Sequence, residues 1–294
     1  MTLQNSFVYG LLTLALISLW LPKKTDLFSI RIWYIFCAAA IGGGLLFGYL
    51  QLSGVVSIFI LGISCYLAGS EQQIKPVRII AGCLMFVLSV GLTMHIIPGF
   101  SNPKVIEGVV ISEGGIPYSK YLNFDKTVVG LFIIGLTFNN LLSTLRDCLD
   151  MIKKIIFPTC ITILVILIIS YAFGYVRFDP KWSSLFWFWI WTNLFFTCIA
   201  EEAVFRGIIQ RYIIEGLKKY RYGAKAGLVI AAVLFGAAHY SGGLKYVILA
   251  TVAGICYGAV YLRTGQVEAS ILTHLIFNTT HFIFFTYPAL ASAM

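Results

Sequence analysis

Between Leu185 and Ala200 the chain carries no charge, and it then sets Glu201 and Glu202 side by side, with Arg206 four residues beyond Glu202. A run this long and this apolar fits a membrane helix. An ionisable group at the centre of such a helix costs about 2.5–3.5 kcal/mol on insertion scales, so it is kept where it has a role. Two adjacent carboxylates cost more, because like charges resist joint ionisation. Such an environment is one way to tune a carboxylate into a general base.

The rest of the chain agrees with a membrane setting. Charged residues are 11% of the sequence and hydrophobic residues 59%, against roughly 25% charged in soluble domains. Apolar stretches of membrane length fall at about 6–22, 32–50, 55–70, 79–97, 127–143, 155–175, 184–205, 225–241, 244–262 and 267–287. The expected fold is an all-α polytopic membrane protein, a bundle of about 8–10 transmembrane helices with an intramembrane polar site. Met1–Leu21 lacks a basic flank and a small-residue cleavage site, so it reads as an anchor helix rather than a cleaved signal.

The cations set the orientation. With the N-terminus outside, the inner segments hold Lys23, Lys24, Arg31, Lys75, Arg78, Arg146, Lys153, Lys154, Arg206, Arg211, Lys218, Lys219, Arg221, Lys225 and Arg263. The outer ones hold only Lys104, Lys120, Lys126, Arg177, Lys181 and Lys245. That bias follows the positive-inside rule and makes the basic loops cytoplasmic; the membrane expected is a bacterial inner (plasma) membrane. It also accounts for the net charge of +9 without a nucleic acid partner. The seven cysteines are scattered without a CxxC pair or zinc-ligand spacing and read as small hydrophobes.

Three regions follow. Residues 1–126 read as an N-terminal transmembrane region with an outer connection at about 98–126, in which Val105–Ile111 can form a short strand. His95, beside Pro98-Gly99, reads as an interfacial residue. Residues 127–183 are connecting spans. Residues 184–287 hold nearly all the intramembrane polar chemistry, in three patterns: Glu201-Glu202-xxx-Arg206, Phe235-xxx-His239 and His274-xxx-Asn278. Each spaces its outer residues by four, which puts them on one helical face. Glu202 can pair with Arg206 at i,i+4, whereas Glu201 points about 100° away. Glu201 is then expected to stay unpaired and desolvated, as the better general base, with Glu202 the structural partner. Alone, the EExxxR group also reads as helix-end residues snorkelling at the interface, and His239 as a core histidine bonded to a carbonyl. His281, seven residues after His274, reads as a hydrogen-bonded bundle histidine.

EExxxR, FxxxH and HxxxN, in this order on successive apolar segments, resemble the CPBP intramembrane protease family, which includes the type II CAAX prenyl endopeptidase and bacterial bacteriocin-processing proteins. The Arg263-Thr264-Gly265 turn is similar as well. The resemblance covers about 184–287. It implies an endopeptidase in which Glu201 activates a water with help from His239, His274 and Asn278 hold the oxyanion, and Glu202 and Arg206 brace the site. The implied partners are membrane lipid and a peptide or membrane-protein substrate. The family is often labelled metalloprotease, and Glu201, His239 and His274 could bind zinc with one position open for water. HExxH is absent, however, and if Glu201 were a ligand Glu202 would have to be the base beside Arg206. The favoured reading has no cofactor. Helix-rise counting from Lys225 and Gln266 puts the site toward the cytoplasmic half. A proton-coupled transporter and a catalytically silent scaffold remain the rival readings. No repeat with matching broken helices appears in the two halves, which disfavours the first.

Overall fold

The computed structural model describes residues 1–21 and 31–293; Lys23 and Lys24 lie outside the described residues. The protein is an all-α polytopic membrane protein, and each of the ten expected apolar segments carries helix. Among the described residues, Leu52–Gly69, Lys75–Thr93, Leu145–Ala172 and Tyr240–Thr264 are long and apolar enough to cross a membrane by length and composition. The chain divides into two compact units, one of residues 1–105, 121–144 and 195–207, the other of 106–120, 145–194 and 208–294.

The first unit contains α1 (Leu3–Ser18), α2 (Ile32–Leu46), α3 (Leu52–Gly69), α4 (Lys75–Thr93) and α5 (Phe124–Thr137). Thr2 caps α1 through its side-chain oxygen, which accepts from the backbone N–H of Asn5 at 3.2 Å. α1 packs on α2, and α3 on α4. α5 is apolar on every side, with Val128, Val129, Leu131, Ile133 and Ile134 all fully buried. A helix apolar all round belongs inside a bundle, and α5 packs against α1, α3 and α4. Glycines set the spacing: a Cβ on Gly62 would lie 3.1 Å from Phe132, and one on Gly69 would overlap the Leu136 carbonyl. Small residues at helix contacts are how backbones approach closely in a membrane.

The second unit contains α6 (Leu145–Ala172), α7 (Phe186–Asn193), α9 (Arg211–Gly216), α10 (Gly223–Ala237), α11 (Gly243–Thr264) and α12 (Val267–Phe284). α10 and α11 meet through small residues, Gly236 facing Thr251 and Gly254 facing Ala232. Thr159 of α6 and Thr273 of α12 share a buried hydrogen bond at 3.0 Å. α11 ends at Gly265, whose φ of 70° is left-handed, so the family-like turn is a glycine-stopped helix end. The expected strand is present: β1 (Lys104–Val109) pairs with β2 (Tyr118–Tyr121).

From Phe186 to Gly216 the backbone stays helical without a break, but two stretches, Leu194–Cys198 and Ala203–Gln210, are π-helical. The α-helical turn α8 (Ile199–Glu202) between them carries both glutamates. The helix begun near Leu185 thus runs past Arg206, beyond the apolar bound at 205. π-turns widen a helix locally and concentrate at functional sites.

Candidate active site

In the first unit the two glutamates have different partners. Arg206 Nε donates to Glu202 Oε2 at 2.8 Å, and neither side chain is exposed at all. This is the i,i+4 pair expected from the spacing. Glu201 is not unpaired, which corrects the sequence reading: Lys126 Nζ donates to Glu201 Oε1 at 2.7 Å, the two side chains being 17% and 12% exposed.

The reason lies in α5. The sequence placed Lys126 in an outer connection, yet it falls in the first turn of α5. Gly130 lies four residues on, on the same face, where a Cβ would sit 3.0 Å from Ala200 Cα. Bare backbone at Gly130 lets α5 lie against α8, and the face that meets Ala200 presents Lys126 to the next residue, Glu201. The pair therefore sets Glu201 level with the start of α5, the end that carries the 98–123 connection.

The start of α5 is itself fixed by a polar cluster. Asp125, 1% exposed, accepts from the backbone N–H of Lys126 at 2.8 Å and from Asn102 Nδ2 at 3.1 and 3.2 Å. His95 Nδ1 lies 2.7 Å from its Oδ2, so His95 is bonded to a buried carboxylate rather than simply interfacial. Asn102 Oδ1 accepts the Phe124 N–H at 2.8 Å. These bonds satisfy helix-start donors and put a negative charge at the positive end of the helix dipole. The ring of Tyr9 lies 6.3 Å from that of Phe124 and 5.7 Å from that of Phe196, joining α1 to both sides of this region.

In the second unit, His239 lies two residues beyond α10 rather than inside it. Its Nδ1 is 2.7 Å from the Phe235 carbonyl. A carbonyl oxygen only accepts, so Nδ1 carries the proton and Nε2 of the neutral ring is an acceptor. The same geometry satisfies the bland reading of a carbonyl-bonded histidine and leaves a nitrogen suited to a water. His274 of α12 is 4% exposed and stacks on Tyr257, centroids 4.5 Å apart at 19°. Phe235 contacts both histidine rings, at 4.7 and 6.1 Å, so FxxxH supplies a wall between His239 and His274. Asn278 Nδ2 donates to Asn193 Oδ1 at 3.1 Å, which orients the amide. His281 bonds the Thr286 carbonyl at 3.1 Å, as a bundle histidine should.

Sequence reasoning missed Lys126 and Asn193. Asn193 had a signal, being the lone carboxamide in the Leu185–Ala200 run. Lys126 had a weaker one, since it abuts the span begun at 127.

Lys126 Nζ donates to Glu201 Oε1, so a divalent ion on that carboxylate would meet a like charge beside it. Among the described residues no three His, Cys, Asp or Glu side chains are grouped to hold a metal.

Residues 182–280, about a third of the chain, match the family described as Type II CAAX prenyl endopeptidase Rce1-like, in keeping with the CPBP resemblance of the three motifs. No curated protein and no solved structure matches the chain.

Proposed function

We propose that the protein is an intramembrane endopeptidase that hydrolyses a peptide bond through a water activated by Glu201, without a metal. The observation that carries this is the division between the glutamates: Glu202 is committed to Arg206, while Glu201 is held through one oxygen by Lys126. The bond from Lys126 fixes where the Glu201 carboxylate stands.

In this mechanism the Glu201 carboxylate takes a proton from a water, and His239 assists as the family resemblance implies. The water oxygen attacks the peptide carbonyl carbon as its proton passes to Glu201. The carbonyl oxygen becomes an oxyanion and receives hydrogen bonds from the Asn278 amide and an N–H of His274, donors of the kind such an intermediate requires. Collapse re-forms the carbonyl and breaks the C–N bond, and the proton held by Glu201 goes to the leaving amine. The substrate class is a peptide or membrane protein.

On the orientation favoured by the cations, the N-terminus is outside, in a bacterial inner membrane. The hairpin end of α5 is then extracytoplasmic, and Glu201 lies in the outer half of its helix bundle.

The test compares peptide termini in membranes and medium from cells expressing wild type or Glu201→Gln at equal abundance. Termini that vanish in the variant establish proteolysis and name substrates. Identical termini, with both proteins folded, sink the proposal and favour a carrier or a silent scaffold.

A further inference from the structure

We propose that the turn between α9 and α10 is a binding surface for the headgroups of anionic phospholipids. Lys218, Lys219, Arg221 and Lys225 fall within one short stretch, and all four are exposed. Lys218 pairs with Glu215 in a contact exposed on both sides, and exposed pairs of this kind hold a charge only weakly. Among the described residues, Lys219, Arg221 and Lys225 have no acidic partner within 4 Å. Four cations against one carboxylate leave the surface strongly positive.

The turn also stands at headgroup depth. On α10, Val229, Ile230, Val233 and Leu234 are 41–52% exposed, the outward face of a helix in lipid. Lys225 precedes Val229 by four residues, so it shares that face one turn, about 6 Å, closer to the helix start. Tyr220 and Tyr222 are 70% and 59% exposed, the placement of tyrosine at a membrane interface. Arg221 and Lys225 flank the Tyr222 ring at 5.4 and 5.8 Å. The ring attracts both cations to one place on the turn, where their N–H groups are at hand for phosphodiester oxygens. Juxtamembrane clusters of four or more Lys and Arg attract anionic lipid by about fivefold per cation.

The experiment uses the full chain in nanodiscs of phosphatidylcholine with phosphatidylglycerol, and native mass spectrometry to count lipids retained on release. Wild type is expected to keep phosphatidylglycerol in preference to phosphatidylcholine. Retention should fall by about 10-fold or more in Lys218→Gln/Lys219→Gln/Arg221→Gln/Lys225→Gln, in keeping with the charge removed. The double variant Lys219→Gln/Arg221→Gln should fall between them, and an unchanged melting temperature shows that both variants are folded. Equal phosphatidylglycerol retention in wild type and folded variants overturns the proposal. So does displacement of the lipid by millimolar inorganic phosphate alone, which would mark a free-anion site.

Discussion

Lys126 Nζ lies 2.7 Å from Glu201 Oε1, so Lys126 fixes the position of that carboxylate. Lys126→Met leaves a nearly buried carboxylate without this cation, and cleavage at Glu201-dependent termini is expected to fall by roughly 10- to 100-fold, within the range of general-base effects. Lys126→Arg should restore much of it, because the charge and a donor remain. Wild-type cleavage by Lys126→Met, measured by the same termini at equal abundance, would remove Lys126 from the mechanism. Glu202 and Arg206 predict a different signature. Arg206→Met strands a carboxylate that has no exposure, at a cost of about 3–5 kcal/mol. It should lower the melting temperature of the purified protein and its yield. Glu202→Leu/Arg206→Met should recover part of that stability, since an apolar pair strands no charge.

At the scale of elements, two close approaches hold the motif residues. Gly130 admits Ala200 and thereby joins Lys126 to Glu201. Gly130→Ala asks Ala200 to give by a few tenths of an ångström, whereas Gly130→Leu forces α5 from α8. The leucine variant is expected to lose cleavage, and a disulfide-forming cysteine pair across positions 126 and 201 would report the separation directly. Gly236 lies inside Phe235-xxx-His239, and a Cβ there would lie 1.9 Å from Thr251 Oγ1 and 2.7 Å from the Val247 carbonyl. Overpacking of this kind costs typically 1–3 kcal/mol, so even Gly236→Ala should destabilise the α10–α11 pair in thermal melts. Thr251→Ala removes only the hydroxyl clash and should rescue it in part. The sequence showed the polar ends of each motif because four-residue spacing is a property of one helix. It did not show Gly130 or Gly236 as contacts, because which faces pair is decided between helices and leaves no periodicity in either.

Across the whole molecule, the ten helical segments were legible because apolar length is written in consecutive residues, and Glu202–Arg206 was legible because both partners lie on one helical stretch. The pairing of Lys126 with Glu201 spans 75 positions and was hidden by a charge that looked like a loop cation. That one pairing bears on how the proposed endopeptidase would make its nucleophile. A metal hydrolase gains a nucleophilic water by placing a divalent cation on it. In the mechanism proposed, the positive charge beside Glu201 is the Lys126 ammonium, and the base acts on an ordinary water. Treatment of purified protein with a strong zinc chelator should consequently leave cleavage of a Glu201-dependent peptide within about twofold of the untreated rate, while Glu201→Gln abolishes it. Loss of activity on chelation with recovery on added zinc would place a cation on Glu201 during turnover. Lys126 would then have to leave that oxygen first, and Lys126→Met would be expected to bind zinc more tightly than wild type, not less.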